Sequence, residues 1–168
     1  MGPLLVGLSF AKSMALALDV PLIEVNHMQA HVLAHFIAEP KPEFPFICLT
    51  VSGGHTQLVL VKSHLEMEVT GQSLDDAVGE AFDKGAKLMG LGYPGGPMID
   101  EHAKKGDSGV FDFPISDIPD YNYSFSGVKT ALLYFVQNGL KQNPSFIEDN
   151  LQDICASYQR VLIDTLFE

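Results

Sequence analysis

At 168 residues the chain is long enough for one domain with a proper core, or for a piece of something larger. Its 46% hydrophobic and 18% charged content is that of a globular α/β protein, and no apolar run reaches the roughly 20 residues of a membrane span. Ten basic against twenty-one acidic residues give a net charge of −11, which repels phosphate backbones and makes this stretch alone a poor nucleic-acid binder.

The start, Met1-Gly2-Pro3-Leu4-Leu5-Val6, lacks the basic region of a signal peptide, which argues against export. Cys48 and Cys155 lie far apart in apolar patterns and read as buried free thiols of a cytoplasmic protein. Leu4 to Leu18 has a helical pattern with small residues between the large ones, apolar on several faces, so burial against other helices or a partner is expected. Asp19 and Pro21 end it. The run Pro21 to Val25 reads as a short buried strand.

His27-Met28-Gln29-Ala30-His31 opens the next helix, expected to run to about Ala38. Four-residue spacing puts His27 and His31 on one face with Cβ atoms roughly 5–6 Å apart, within reach of a single metal ion. Two histidines are too few for a tight site, so a metal here requires a further ligand from elsewhere. The competing reading has His27 capping the helix and His31 half-exposed. Met28 stands where a zinc protease of the H-E-x-x-H type needs its glutamate. His35, about 80° around the helix from His27, reads as structural.

Glu39 to Pro45, with three prolines, is a rigid connector and the best domain boundary. Phe46–Val51 and Gln57–Lys62 read as strands joined by the tight turn Ser52-Gly53-Gly54-His55-Thr56. Its glycines let backbone N–H groups face an anion, although taken alone the motif is better explained as an ordinary hairpin with a Gly-Gly turn. Leu65 to Val69 alternates as a third strand, and three antiparallel strands followed by helices suggest half of a ribonuclease-H-like lobe. Asp75 and Asp76 are expected to open a helix through Met89, with Asp83 inside it, solvated or paired with Lys87.

Leu91 to Pro97 is a stiff turn into a helix at Met98 to Lys105, with Pro97 at its first position and Gly95-Gly96 able to approach a ligand. Gly106 to Asn122 is irregular. Tyr123 to Ser126 reads as a strand, Ser126 as the cap of a helix from Val128 to Gln137, and Asn138 to Pro144 as a loop. Phe146 to Glu168 is a long helical pattern that stops on an apolar face, Val161, Leu162, Leu166 and Phe167, without a cap. Such an end, like the abrupt start, reads as a cut.

Five motifs occur in order: Val25 to His31, Val51-Ser52-Gly53-Gly54-His55-Thr56-Gln57-Leu58, Asp75 to Lys84, Gly92-Tyr93-Pro94-Gly95-Gly96-Pro97 and Ser124-Phe125-Ser126-Gly127-Val128-Lys129-Thr130. The series closely resembles the TsaD (Gcp/YgjD) family, the universal tRNA threonylcarbamoyladenosine synthesis proteins, over essentially the whole chain. The family's N-terminal glycine-containing loop and its C-terminal Gly-Gly-Val motif, with a third metal ligand, have no counterpart here. The chain therefore resembles the middle section. The resemblance implies an α/β fold of the actin/Hsp70-like, ribonuclease-H-like ATPase class, incomplete, with residues 1–45 ending one lobe and residues 46–168 beginning the second. It implies transfer of the threonylcarbamoyl group from threonylcarbamoyl-AMP to the exocyclic amine of the tRNA adenosine beside the anticodon.

On this resemblance His27 and His31 are ligands of one divalent metal ion, iron or zinc, whose third protein ligand lies outside the chain. Thr50, Val51, Ser52, Gly53, Gly54, Asp83 and Gly96 bind substrate, and no residue is assigned as catalytic. The implied partners are a TsaB-like scaffold paralogue, a TsaE-like ATPase and tRNA, with no membrane. Asn26 and Gln29 stand where some relatives carry His and Glu, so the groups around the metal site differ. Two other functions compete: the family's older label of O-sialoglycoprotein endopeptidase, which Met28 argues against, and a non-catalytic scaffold paralogue, which retention of both histidines argues against.

Overall fold

The structure, a computed structural model, describes residues 2–167; Met1 and Glu168, the outermost residues of the two ends read above, lie outside the described residues. The chain divides into two compact units, one up to Lys41 and one from Pro42 onward.

The first unit holds helix α1 (Gly2–Leu18) and helix α2 (His27–Leu33), the latter tightening into a 3₁₀ turn (Ala34–Phe36). Asp19 ends α1 as expected: it takes the left-handed conformation at φ 52°, and Val20 N–H reaches back to Ala15 O at 3.0 Å. No residue of α1 is buried, and Leu4, Phe10 and Leu16 are 80%, 68% and 84% exposed. Among the described residues nothing buries this helix, whose large apolar side chains stay exposed. Residues 21–25 form no strand, because among the described residues no neighbouring strand pairs with their N–H and C=O groups. Among the described residues, no helix is long and apolar enough to cross a membrane.

The second unit opens with an antiparallel sheet, β1 (Phe46–Val51), β2 (Thr56–Val61) and β3 (Met67–Gln72), in the order β1-β2-β3. The third strand starts two residues later than its alternation suggested. Thr70 is an extra residue between the pairs Leu58↔Gly71 and Val59↔Val69, and its hydroxyl donates to Leu58 O at 3.1 Å. One face of the sheet turns Leu49 and Leu58 toward the helices; Cys48, Val59 and Val61 are buried on the other.

The helices are α3 (Val78–Leu88), α4 (Gly95–Ala103), α5 (Ser126–Gln142) and α6 (Phe146–Asp164). Their core is built on Ile99, Phe125, Leu132, Ile154, Tyr158 and Leu162, all fully buried. The irregular stretch before α5 is anchored by aromatic contacts: Phe111 and Phe113 meet Phe135 edge-on at 4.9 and 5.4 Å, and Phe113 meets Tyr158 at 5.9 Å. Both cysteines are buried and free, and burial pushes the Cys155 thiol up to about 12, an inert group. Helix α5 runs five residues past the expected Gln137, so Asn138 to Gln142 is helix rather than loop.

Several expected helix starts are corrected. Asp75 and Asp76 precede α3 rather than opening it, and Ser126 begins α5 without capping it. Asp75 caps α5 instead, accepting from Ser124 Oγ at 2.6 Å, Phe125 N at 2.9 Å and Ser126 N at 3.3 Å. This contact replaces the expected strand at Tyr123–Ser126, of which only a single bridge to Ser73 forms. Asp76 receives Lys84 Nζ at 2.7 Å and Lys129 Nζ at 3.1 Å, tying α3 to α5. Lys84 also meets Glu80, and these two carboxylates push its ammonium up to about 12.

Partial burial works against both carboxylates, but the donors around them win. Ser124 and the N–H groups of Phe125, Ser126 and Asp76 hold Asp75 below the usual 3.8, and Lys84 and Lys129 do the same for Asp76. Because both folded values are depressed, the stability they contribute is complete above the ordinary carboxylate pKa and is lost as pH falls through the folded values. Acid titration of the unfolding free energy should therefore show a steep loss below about pH 4. The double variant Asp75→Asn/Asp76→Asn should be less stable at pH 7 and show a shallower acid limb. An unchanged limb would mean that these carboxylates carry no pH-linked stability.

Candidate functional site

Helix α2 starts on a local cap: Asn26 Oδ1 accepts from Met28 N at 3.0 Å and Gln29 N at 3.3 Å. The cap is thus Asn26, not His27 as the competing reading had it. His27 and His31 stand edge to face with ring centroids 5.8 Å apart, both exposed. With metal–nitrogen bonds of about 2 Å, rings at that separation can share one ion. The pair fits a metal in spacing and donor chemistry, though among the described residues no group of three or more His, Cys, Asp or Glu comes together to complete a site.

The remaining candidates lie in the second unit. Thr50 and Val51 end β1, and Ser52, Gly53 and Gly54 form the turn into β2. The turn is closed by Ser52 N–H to His55 O at 2.8 Å, while Ser52 Oγ accepts from Gly54 N at 3.3 Å and His55 N at 2.9 Å. Ser52 thus gathers the donors that the glycines were expected to present. Gly53 and Gly54 have open space on their side-chain positions, so a ligand can approach their backbone.

The loop sits on the first turn of α3, and Asp83 lies one turn further along that helix. Asp83 is neither solvated nor paired with Lys87: its Oδ1 accepts from Gly95 N at 2.7 Å and caps α4. Helix α4 accordingly begins at Gly95, three residues before the expected Met98. Pro97 falls in its first turn, where a missing N–H costs nothing. Asp83 and the Gly95–Gly96 pair are therefore brought together, and Oδ2 of Asp83 carries no hydrogen bond among the described residues. A cleft of about 70 Å³ opens beside the loop between His55, Gln72 and Asp75. A separate cavity of about 490 Å³ beside Ile115, Tyr121 and Leu166 contains no candidate residue. Sequence reasoning did not single out Thr56 and Gly79, of which Thr56 accepts the Val78 N–H at the start of α3 and Gly79 N–H reaches Ser52 O.

A three-stranded antiparallel sheet with a glycine loop resting on the following helix, and helices packed on one face, define an α/β lobe. The family model described as "TsaD: tRNA N6-adenosine threonylcarbamoyltransferase" matches residues 1–168, and the chain belongs to that family, whose fold is actin-like. Proteins named tRNA N6-adenosine threonylcarbamoyltransferase are 64% identical in Cytophaga hutchinsonii (99% of this chain, 48% of the relative), 58% in Christiangramia forsetii (100% and 50%) and 52% in Thermotoga neapolitana (99% and 50%). The chain spans about half the length of the curated relatives it matches.

The seam between α3 and α4 yields a stability test. A Cβ at Gly95 would lie 2.7 Å from both Asp83 Cα and Ala86 Cβ and 2.9 Å from Phe82 O, so Gly95→Ala should cost about 1–3 kcal/mol. Asp83→Ala removes the cap and should cost about 1 kcal/mol. Because both act at one seam, urea unfolding of the double variant should show less than the sum. Strict additivity would mean that the two residues are not coupled.

Proposed function

We propose that this chain is part of an enzyme that transfers the threonylcarbamoyl group from threonylcarbamoyl-AMP to the exocyclic amine of the tRNA adenosine beside the anticodon. The carrying observation is family membership over all 168 residues, together with the glycine loop resting on the start of α3, the helix whose Asp83 bonds Gly95 N–H at the start of α4. In the reaction the adenine nitrogen forms a bond to the carbamoyl carbon, the bond from that carbon to the phosphate oxygen breaks, AMP leaves and the amine loses a proton. Thr50 to Gly54 line the anionic groups of the donor, which approach over the open backbone of Gly53 and Gly54, and Asp83 Oδ2 accepts from a ribose hydroxyl beside Gly96. The loop also helps exclude water, which would otherwise hydrolyse the mixed anhydride.

His27 and His31 would hold one divalent ion, iron or zinc, with a third ligand from the remainder of the protein. When bound, such an ion supplies Lewis-acid character toward the donor's carbonyl, carboxylate or phosphate oxygens. Residues 1–45 form the end of one lobe and residues 46–168 the beginning of the next; the division into two compact units at Lys41 supports this. The protein acts in the cytoplasm with a TsaB-like scaffold paralogue and a TsaE-like ATPase. Net charge −11 supports the view that most cations meeting the tRNA belong to those partners or to other parts of the protein.

The full-length protein, assayed for bound metal and for modified adenosine in a complete tRNA mixture, tests this reading. His27→Ala and His31→Ala should each lose metal and activity while the fold stays intact by circular dichroism. The 168-residue chain alone, with two of three ligands and half the relatives' length, should give no modified adenosine above background. Either variant retaining stoichiometric metal would sink the ligand assignment, and activity of the chain alone would sink the placement of the site.

The exposed apolar α1 is proposed as the contact with the scaffold paralogue. Leu8→Glu/Leu16→Glu in the full-length protein should abolish co-elution with that paralogue in size-exclusion chromatography. Undiminished co-elution would place the contact elsewhere.

A further inference from the structure

The geometry points to Thr56 and Gly79 as positioning residues that seat the substrate loop on the first turn of α3. This rests on the proposed reading of Ser52–Gly54 as the loop that meets the donor. A turn containing two consecutive glycines is entropically costly to hold still, yet donors aimed at an anion are effective only when fixed beforehand. Two contacts fix it. Thr56, 2% exposed on the helix-facing side of β2, accepts the Val78 N–H at 2.9 Å through Oγ1, satisfying one of the donors that a helix start leaves without an internal partner. Gly79 N–H reaches Ser52 O at 3.3 Å.

The approach at Gly79 is closer than any side chain allows. A Cβ there would stand 2.5 Å from Ser52 O and 2.8 Å from both Ser52 C and Gly53 Cα, all of them backbone atoms of the loop. Thr56 is held in turn from β3, where Ser73 N–H donates to its carbonyl at 2.9 Å. Ala77, at the capping position of α3, has no side chain able to cap. The helix start and the loop therefore depend on each other: the helix lends N–H groups to the hairpin, and the hairpin supplies the cap. Valine has the shape of threonine but no acceptor, so Thr56→Val would leave the Val78 N–H buried and unpaired, while serine would keep the acceptor.

Steady-state kinetics of the full-length protein, varying threonylcarbamoyl-AMP and tRNA separately, test the assignment. Thr56→Val should raise KM for threonylcarbamoyl-AMP by ~10-fold or more, with KM for tRNA and metal content unchanged, since small displacements of positioning groups have effects of this size. Thr56→Ser should restore most of it. Gly79→Ala, which pushes the same loop from the helix side, should raise the same KM and serves if Thr56→Val fails to fold. Loss of kcat in proportion to folded protein, with KM unmoved, would show a structural role only and overturn the proposal. Gly54→Ala distinguishes the two levels. If it raises KM while Thr56→Val and Gly79→Ala do not, the seating role falls and the substrate loop stands; if none of the three moves KM, both fall.

Discussion

Every α-helix begins with N–H groups that have no partner inside it, and in the second unit three helices in succession satisfy them with side chains from elsewhere. Helix α3 is capped by Thr56 of the sheet, α4 by Asp83 of α3, and α5 by Asp75 of the loop after β3. None of the three has a side-chain cap of its own at the capping position. The unit is thus linked in a chain of dependence, sheet to α3, α3 to α4, and the β3–α3 loop to α5. Lys84 and Lys129 converging on Asp76 close the same junction from the other side.

This arrangement explains why the proposed site can be built from weak-looking parts. A Gly-Gly hairpin, a mid-helix aspartate and a second Gly-Gly pair each have ordinary local explanations. Joined by the borrowed caps they form one frame: the loop rests on the start of α3, Asp83 stands one turn along that helix, and its carboxylate fixes the start of α4 beside Gly96. Of the residues proposed to hold substrate, Asp83 also caps a helix and Ser52 O accepts the Gly79 N–H of another, so folding sets their geometry before any ligand arrives.

The first unit is organised differently. Its short helix α2 carries its cap in the adjoining residue, Asn26, and presents the two imidazoles edge to face one turn apart. Helix α1 keeps its apolar side chains in solvent along its whole length. The chain's length, about half that of its relatives, sets the scope of what its own residues can complete.

Reading the chain as residues recovered the parts with local causes. The left-handed stop at Asp19, the hairpin β1–β2, the buried thiols and the pairing of His27 with His31 on one helix face follow from spacing, propensity and backbone geometry. The five ordered motifs likewise carried the family. What the chain alone misassigned were the non-local parts. Pro21 to Val25 has a strand's composition but no neighbouring strand among the described residues. Asp75 and Ser126 have the composition of caps, yet Asp75 caps a helix fifty residues away and Ser126 caps none. A cap's hydrogen bond spans about 3 Å in space and any distance in sequence, so its partner is decided only when the sheet and helices pack.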